Sequence, residues 1–224
     1  GIAAAMVVLY LGNALAGIPL TVMAFVVAAM AGCEVVLQDI DSGTLDRGLA
    51  KIAANLQKGV DRGKVEPELM EATLTRISGT SEMAAVADGA DLVVEAVPEK
   101  LALKQAIFEQ LQGLAPRDAI FGTNTSSLSV AKIAGVLSDP GRVIGMHFFN
   151  PVHIMKLLEV VRAKESSEEA IECAMELGGR MGKQPILGAD SPGFASSRLG
   201  LVIGLEAMRM LEAMRQVAPE ARFY

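Results

Sequence analysis

Two side chains in the second half of the chain carry the groups that a proton transfer needs. His147 ends one apolar stretch, and Glu159 lies inside the next. An imidazole titrates near neutral pH, so His147 is the candidate general base. A carboxylate among apolar residues is costly unless it is paired, which makes Glu159 its candidate orienting partner. Position alone leaves a structural role for His147 open, and His153, in a turn after Pro151, is interpreted as a solvated loop residue.

These residues belong to an alternation of short apolar runs and amphipathic stretches that begins at Gly32. The alternation predicts a parallel sheet covered by helices. Strands are predicted over 33–39, 74–77, 91–97, 119–124, 142–147, 155–161 and 185–187. Helices are predicted within 65–78 and over 44–60, 83–87, 100–114, 130–137, 166–178 and 194–214.

Polar residues follow several of these strands, where a parallel sheet places its binding groups. The residues at these strand ends, most of them polar, are Asp39, Ala96 with Val97, Asn124 with Thr125 and Ser126, and His147 with Asn150. We expect them to line one crevice that holds a polar ligand. For Thr125 and Ser127, a role as turn formers and helix caps is at least as good an explanation as a contact with that ligand. Glu95, inside the strand at 91–97, is a second carboxylate that needs a partner.

The composition excludes several classes of protein. With 224 residues, 51% of them hydrophobic, the chain has enough apolar surface for a sizeable core. A net charge of −6 argues against a generic nucleic-acid binder. Cys33 and Cys173 cannot form a disulfide framework, which favours a reducing, cytoplasmic compartment. No histidine or cysteine spacing suits zinc and no Gly-x-Ser-x-Gly motif occurs, so neither a metal site nor serine-hydrolase chemistry is expected.

The first 33 residues contain no charged side chain. An apolar run of this length is tested first as a membrane span. Here it is interrupted by Gly12, Asn13, Gly17 and Pro19. We interpret it as the first strand, loop and helix of the sheet, and an N-terminal membrane span is the alternative.

Five segments follow one another along the chain. They are Asp-Leu-Val-Val-Glu-Ala-Val-Pro-Glu (91–99), Thr-Asn-Thr-Ser-Ser-Leu (123–128), Gly-Met-His-Phe-Phe-Asn-Pro-Val (145–152), Lys-Leu-Leu-Glu-Val-Val (156–161) and Asp-Ser-Pro-Gly-Phe (190–194). In this order they resemble the L-3-hydroxyacyl-CoA dehydrogenase family, of the 3-hydroxybutyryl-CoA dehydrogenase type. The match keeps the family's spacing from about Gly32 to Met210. Any one segment is a weak signal, and their order together is specific.

The resemblance implies a reversible, NAD-dependent oxidation of the 3-hydroxyl of an acyl-CoA to a 3-keto group. It implies that His147 removes the hydroxyl proton while hydride leaves C3 for the nicotinamide, and that Glu159 orients and stabilises the imidazole. It assigns Ser126 to the substrate oxygen, near the nicotinamide. Ser197 stands where the family has a substrate-side asparagine, so we expect weaker binding there.

The resemblance also implies the cofactor contacts. Asp39 is assigned to the adenosine ribose, where its charge favours NAD over NADP. The other cofactor positions are Gly17, Ala96, Glu99, Lys104, Ser126 and Asn150. Basic residues within Lys51–Arg62 are either ligands of CoA phosphates or a solvated helix face.

The implied fold is an α/β, Rossmann-like domain over 1–190, with a mostly parallel sheet and helices on both faces. Residues 191–224 are expected to be the incomplete start of an all-helical domain. In the family that domain closes the substrate site and forms a homodimer, so the oligomeric state of this chain is left open. The acyl-CoA substrate is the expected partner, with neither nucleic acid nor membrane.

The sequence departs from the family at both ends. The family's Gly-x-Gly-x-x-Gly loop is absent, and Gly17 stands alone where that loop belongs. Residues 1–31 and 213–224 do not resemble the family. We hypothesise that these two stretches result from a shifted reading frame, truncation or engineering. The alternative function is therefore a catalytically impaired protein that binds a nucleotide or an acyl-CoA on the same scaffold.

Overall fold

A computed structural model describes residues 5–9 and 22–217 of the chain. Eight strands and eight α-helices lie in these ranges. The strands are β1 (Ala5–Leu9), β2 (Glu34–Gln38), β3 (Ile77–Thr80), β4 (Leu92–Glu95), β5 (Ile120–Thr123), β6 (Val143–Phe148), β7 (Leu157–Arg162) and β8 (Gln184–Ala189). The helices are α1 (Val22–Met30), α2 (Ser42–Asp61), α3 (Pro67–Thr75), α4 (Met83–Ala87), α5 (Leu101–Gln112), α6 (Val130–Ala134), α7 (Glu168–Arg180) and α8 (Ser196–Val217).

All eight strands form one sheet in the order β3-β2-β1-β4-β5-β6-β7-β8. The strands from β3 to β6 in that order pair in parallel, β7 runs antiparallel to β6, and β8 is parallel to β7. The order of the first six strands is that of dinucleotide-binding domains, whose ligands bind outside the carboxyl ends of the strands where the order reverses. The expected mostly parallel, Rossmann-like sheet is confirmed.

The core lies on both faces of the sheet. One cluster joins α1, α2 and α7 to the sheet through residues such as Phe25, Ile52 and Leu177. The other joins α4, α5 and α6 to the opposite face through residues such as Phe108 and Ile133. The apolar stripes of these helices are thus buried against the strands, and helices on both faces are confirmed.

The first 33 residues contain two of the expected elements. Strand β1 pairs with both β2 and β4, and helix α1 precedes β2. The loop expected between them, with Gly17, lies outside the described residues. In the described part of the chain, no helix is long and apolar enough to cross a membrane.

The third strand was predicted in the wrong place. The sequence pattern predicted 74–77, whereas α3 continues to Thr75 and β3 starts at Ile77. Pro67 occupies the first turn of α3, where a missing N–H costs nothing, and Thr73 donates a hydrogen bond to the carbonyl of Leu69 at 2.6 Å. The pairing of Ile77 with Val35 then sets where the strand begins. Helix α6 is likewise shorter than the predicted 130–137.

The last helix starts and ends later in the chain than the predicted 194–214. It begins at Ser196, and Phe194 lies in the preceding turn with a positive φ of 50° and a buried ring. Its long apolar side chains are exposed, among them Leu199, Leu201, Val202 and Ile203. The domain boundary expected between residues 190 and 191 stays a prediction.

Candidate active site

His147 and Glu159 lie opposite each other on the antiparallel strands β6 and β7. The His147 Nδ1 atom is 2.8 Å from the Glu159 Oε2 atom, and both side chains are buried. A carboxylate accepts hydrogen bonds only, so Nδ1 carries the proton in this contact. Nε2 is then the nitrogen that can accept a proton. The pair that the sequence pattern predicted is therefore assembled with the geometry of an oriented base.

Two phenyl rings enclose the His147 imidazole. The ring centroids of Phe149 and Phe194 lie 4.6 Å and 5.7 Å from that of the imidazole. Gly193 and Phe194 both have positive φ, and this conformation is rare for a bulky residue such as phenylalanine. The turn before α8 thus holds a ring against the candidate base.

The carboxylate of Glu159 lies at the N-terminus of α8. Its Oε1 atom accepts hydrogen bonds from the backbone N–H groups of Ala195 and Ser196, at 3.1 Å and 2.8 Å. Burial alone would raise the pKa of Glu159, but the hydrogen bonds from His147 and Ser196 outweigh it and hold that pKa below its usual value. Glu159 is therefore an anion at neutral pH.

Sequence reasoning missed Ser196. Its hydroxyl donates to the Oε2 atom of Glu159 at 2.8 Å. The Asp-Ser-Pro-Gly-Phe segment predicted a break in the chain at this point, but nothing in it indicated a contact with Glu159. Ser197, which the resemblance assigned to the substrate, is exposed on α8.

The loop after β5 is built around the Glu99 carboxylate. The Oε1 atom of Glu99 accepts from the Thr125 hydroxyl at 2.6 Å and from the N–H groups of Ser126 and Ser127 at 3.0 Å each. Burial would raise the pKa of Glu99, but these hydrogen bonds and the nearby charge of Lys104 lower it overall. Thr125 and Ser127 are thus turn formers, as one of the two interpretations held, and Ser126 is exposed.

Lys104 is the partner that the sequence required for Glu95. Its Nζ atom lies 2.7 Å from the Glu95 Oε1 atom, and neither side chain reaches solvent. The same ammonium is 3.2 Å from the Val97 carbonyl and 3.5 Å from the Glu99 Oε2 atom. Lys104 is therefore buried beside two glutamates. It neutralises Glu95 and forms a longer ion pair with Glu99.

The clusters after β5 and β6 are joined by a hydrogen bond. The Asn124 side-chain oxygen accepts from the Phe148 N–H at 3.1 Å. The loop that carries Ser126 is thereby tied to the strand that carries His147. Asn150 is exposed and Ala96 is half-buried at the same edge of the sheet.

Asp39, at the carboxyl end of β2, has an unused acceptor. Its Oδ1 atom accepts from the Asp41 N–H at 3.0 Å, and its side chain is buried. Its Oδ2 atom has no hydrogen-bond partner among the described residues. A buried carboxylate oxygen without a donor is unfavourable, so this atom fits a ligand that brings hydroxyl groups, such as a ribose.

A cavity of about 890 Å³ lies between α1, α2 and the segment after β6. Its basic lining residues are Lys51, Lys58, Arg62, Lys64, His153 and Arg180. Apolar residues of α1, among them Met23 and Val26, form another wall. His153 is exposed, as predicted. The cations of α2 thus line a cavity that suits an anionic ligand with an apolar part.

The described residues include no group of three or more His, Cys, Asp or Glu side chains that is arranged to hold a metal ion. The strand order, and an Asp39 oxygen without a donor among the described residues, are features of a dinucleotide-binding domain, and the His147–Glu159 pair has the arrangement of a candidate base with its orienting carboxylate.

The chain belongs to the 3-hydroxyacyl-CoA dehydrogenase family, because residues 21–191 match the model of that family's NAD binding domain. The resemblance and the NAD-binding class of the domain are therefore confirmed.

Among curated relatives, the chain is 42% identical over 194 residues to 3-hydroxyadipyl-CoA dehydrogenase of Escherichia coli (strain K12), covering 87% of this chain and 40% of that protein. It is 42% identical over 172 residues to the fatty acid oxidation complex subunit alpha of Psychrobacter arcticus, covering 77% of this chain and 24% of that protein. The crystal structure of 3-hydroxybutyryl-CoA dehydrogenase from Escherichia coli K12 matches with a TM-score of 0.85 and 38% identity over 93% of this chain and 43% of that one. The chain thus spans less than half the length of these relatives.

Proposed function

We propose that this chain forms the cofactor domain and the base of an enzyme that reversibly oxidises the 3-hydroxyl of an acyl-CoA to a 3-keto group with NAD. The observation that carries the proposal is the buried 2.8 Å contact between His147 Nδ1 and Glu159 Oε2. It leaves Nε2 of His147 as the proton acceptor for a hydroxyl group. The names of the relatives, which are dehydrogenases of 3-hydroxyacyl-CoA substrates, support the same reaction.

The proposed chemistry divides between the chain and the cofactor. His147 accepts the hydroxyl proton at Nε2, and Glu159 stabilises the imidazolium that forms, as in other carboxylate–histidine pairs. When bound, NAD supplies the acceptor for the hydride that leaves C3. The exposed Ser126 donates a hydrogen bond to the substrate oxygen and keeps it near Nε2.

The residues present fit NAD at the carboxyl edge of the sheet. The Oδ2 atom of Asp39, which has no donor among the described residues, would accept from the adenosine ribose, and its negative charge would repel a 2′-phosphate. Glu99 and Asn150 contribute at the nicotinamide side, and Lys104 acts through Glu99, since its own ammonium is buried. Ala96 and Gly17, the latter outside the described residues, are the further cofactor positions that the family resemblance supports.

The cationic cavity supports a CoA ester as the substrate. CoA carries several phosphates and a long neutral arm, and the cavity combines Lys58, Arg62 and Arg180 with the apolar wall of α1. Cations that converge on one cavity attract such an anion by long-range electrostatics. Ser197, at the start of α8, donates its hydroxyl to the acyl end.

We further propose that the protein is cytoplasmic and dimeric, with residues 191–224 as the start of a helical domain. The buried free thiols of Cys33 and Cys173 support a reducing compartment. The exposed apolar residues of α8 support a contact with further helices or a second copy.

The proposal is tested by following NADH oxidation with acetoacetyl-CoA, with the variant His147→Gln beside the wild type. We expect turnover by the wild type and a loss of about 10²–10⁴-fold in the variant. Equal turnover by both proteins would show that His147 is not the base. A wild type that binds NADH but does not turn over would support the impaired binding protein, which the names of the relatives do not favour.

A further inference from the structure

The Glu159 carboxylate accepts hydrogen bonds from both sides of the site. From β6, His147 donates to Oε2. From the start of α8, the Ser196 hydroxyl donates to the same oxygen at 2.8 Å, and the Ser196 N–H donates to Oε1 at 2.8 Å. One residue therefore bridges both oxygens of the carboxylate.

We propose that Ser196 is a positioning residue of the candidate catalytic pair, a role that rests on the proposed function. Its hydroxyl and its N–H together fix the plane of the Glu159 carboxylate, because rotation of that group breaks both contacts. The hydroxyl also competes with the imidazole for Oε2. Ser196 thereby sets how strongly Glu159 holds the proton on His147.

The surroundings of Glu159 make the Ser196 hydroxyl an important donor to the carboxylate. His147 is the titratable group that contacts the carboxylate from β6, whereas Ile186, its register partner on β8, and Ala195 at the start of α8 bring no charge. The Glu159 side chain is almost fully buried, so water does not replace a donor that is removed. Loss of the hydroxyl therefore leaves the Oε2 atom of Glu159 to the imidazole alone.

The arrangement also couples α8 to the chemistry. Ser196 is the first residue of a helix of 22 residues, and Phe194, just before it, packs its ring against His147. A displacement of the first turn of α8 would remove three donors from Glu159 and one ring from His147. The position of α8 thus determines which donors reach Glu159 and whether a ring packs against His147.

The first test is the pH profile of kcat in Ser196→Ala and Ser196→Thr. Without the hydroxyl, Oε2 is left to the Nδ1 proton of His147 alone and holds it more strongly, so the acid limb of the profile moves upward by about 0.5–1 pH unit. Ser196→Thr keeps the hydroxyl and the wild-type profile. Ser167→Ala is the matched control, since Ser167 caps α7 away from the site and its loss lowers stability only.

The second test does not need turnover. His147 and His153 are the two histidines of the chain, so His153→Gln leaves a single imidazole for NMR. In Ser196→Ala, the Nδ1 proton of His147 moves downfield because Oε2 has lost the competing donor, and Ser196→Thr restores its position. Identical imidazole resonances in the parent and in Ser196→Ala, with the acid limb unmoved, would overturn the role of Ser196. An inactive wild type with the expected NMR change contradicts the proposed function alone.

Discussion

Lys104 and Glu95 form an ion pair that has no contact with solvent. The Lys104 Nζ atom is 2.7 Å from Glu95 Oε1, and both side chains have 0% exposure. Glu95 is satisfied further by the Val97 N–H at 2.6 Å and the Thr123 hydroxyl at 2.8 Å. The pair ties β4 to α5, and its ammonium reaches Glu99 as well. It is a structural support for the loop that carries Ser126.

Lys104→Met should destabilise the fold strongly. It leaves the Glu95 carboxylate buried without a counter-charge, which costs about 3–5 kcal/mol of the free energy of unfolding. Adding Glu95→Leu to Lys104→Met should recover part of that loss, because the buried charge is then removed. Urea denaturation of the single and double variants measures both effects.

The matched control is the exposed ion pair between Arg162 and Glu168, whose side chains are 44% and 66% exposed. Arg162→Gln should cost less than about 1 kcal/mol, since solvent screens such pairs. Similar losses for Lys104→Met and Arg162→Gln would contradict the importance of the buried pair.

Glu99→Gln should flatten the dependence of stability on pH. The pKa of Glu99 is lowered in the folded protein, so its contribution is full above the unfolded value of about 4.3 and is lost as the pH falls through the folded value. The wild type should therefore lose more free energy of unfolding than Glu99→Gln between about pH 5 and pH 3. Urea denaturation at several pH values measures the difference.

Glu109→Gln provides the reference for that experiment, since Glu109 is exposed on the same helix. Its pH dependence should follow the wild type. A Glu99→Gln curve parallel to that of the wild type would show that the Thr125–Ser127 loop does not depend on the charge of Glu99.

Much of the fold could be predicted from the sequence, because buried parallel strands leave uninterrupted apolar runs. The strands at 91–97 and 142–147 were each placed within two residues of the observed ends. The error at 74–77 arose where a short helix meets a short strand. There the periodicity of so few residues does not separate the two structures.

The site was predictable where it depends on strand ends and not where it depends on packing between elements. His147 and Glu159 lie opposite each other because the two predicted strands that carry them are neighbours in the sheet. The contact between Ser196 and Glu159 depends on how the start of α8 contacts β7 and on the positive φ of Phe194 in the turn before α8. No local pattern encodes that geometry.

Asp39→Asn should reduce the preference for NADH over NADPH. The buried Oδ2 atom of Asp39, for which the described part of the chain offers no donor, is the group expected to accept from the ribose and to repel a 2′-phosphate. Loss of a hydrogen bond to a charged group is worth about 1.5–3 kcal/mol, or roughly 10–100-fold in affinity. Fluorescence titration with both dinucleotides measures the ratio of their Kd values.

Asp41→Asn is the control for that titration. Asp41 caps α2 two residues further on, and an asparagine still caps a helix. The ratio of Kd values should match that of the wild type. An unchanged ratio in Asp39→Asn as well would remove Asp39 from the cofactor site.

Reversal of charge in the cavity should weaken the binding of a CoA ester. Lys58→Glu with Arg62→Glu replaces two cations of the lining by anions. We expect a loss of about tenfold or more in affinity for acetoacetyl-CoA, largest at low salt, because exposed charges are screened by ions. Calorimetric titration at two salt concentrations measures it.

Lys132→Glu makes the same kind of charge change on α6, which packs on the opposite face of the sheet. It should leave the affinity for acetoacetyl-CoA near that of the wild type. If the cavity variant and Lys132→Glu bind acetoacetyl-CoA equally well, the cavity does not hold the CoA phosphates.

Glu159→Gln should lower kcat much more than it raises KM. The amide keeps the size of the side chain but cannot stabilise the imidazolium, and its NH₂ group can turn toward Nδ1 and favour the wrong tautomer of His147. A loss of about 10²–10⁴-fold in kcat is expected, because the base then lacks its orienting charge. A change confined to KM would instead place Glu159 in substrate binding, and turnover at the wild-type rate would show that the His147–Glu159 contact does not serve proton transfer.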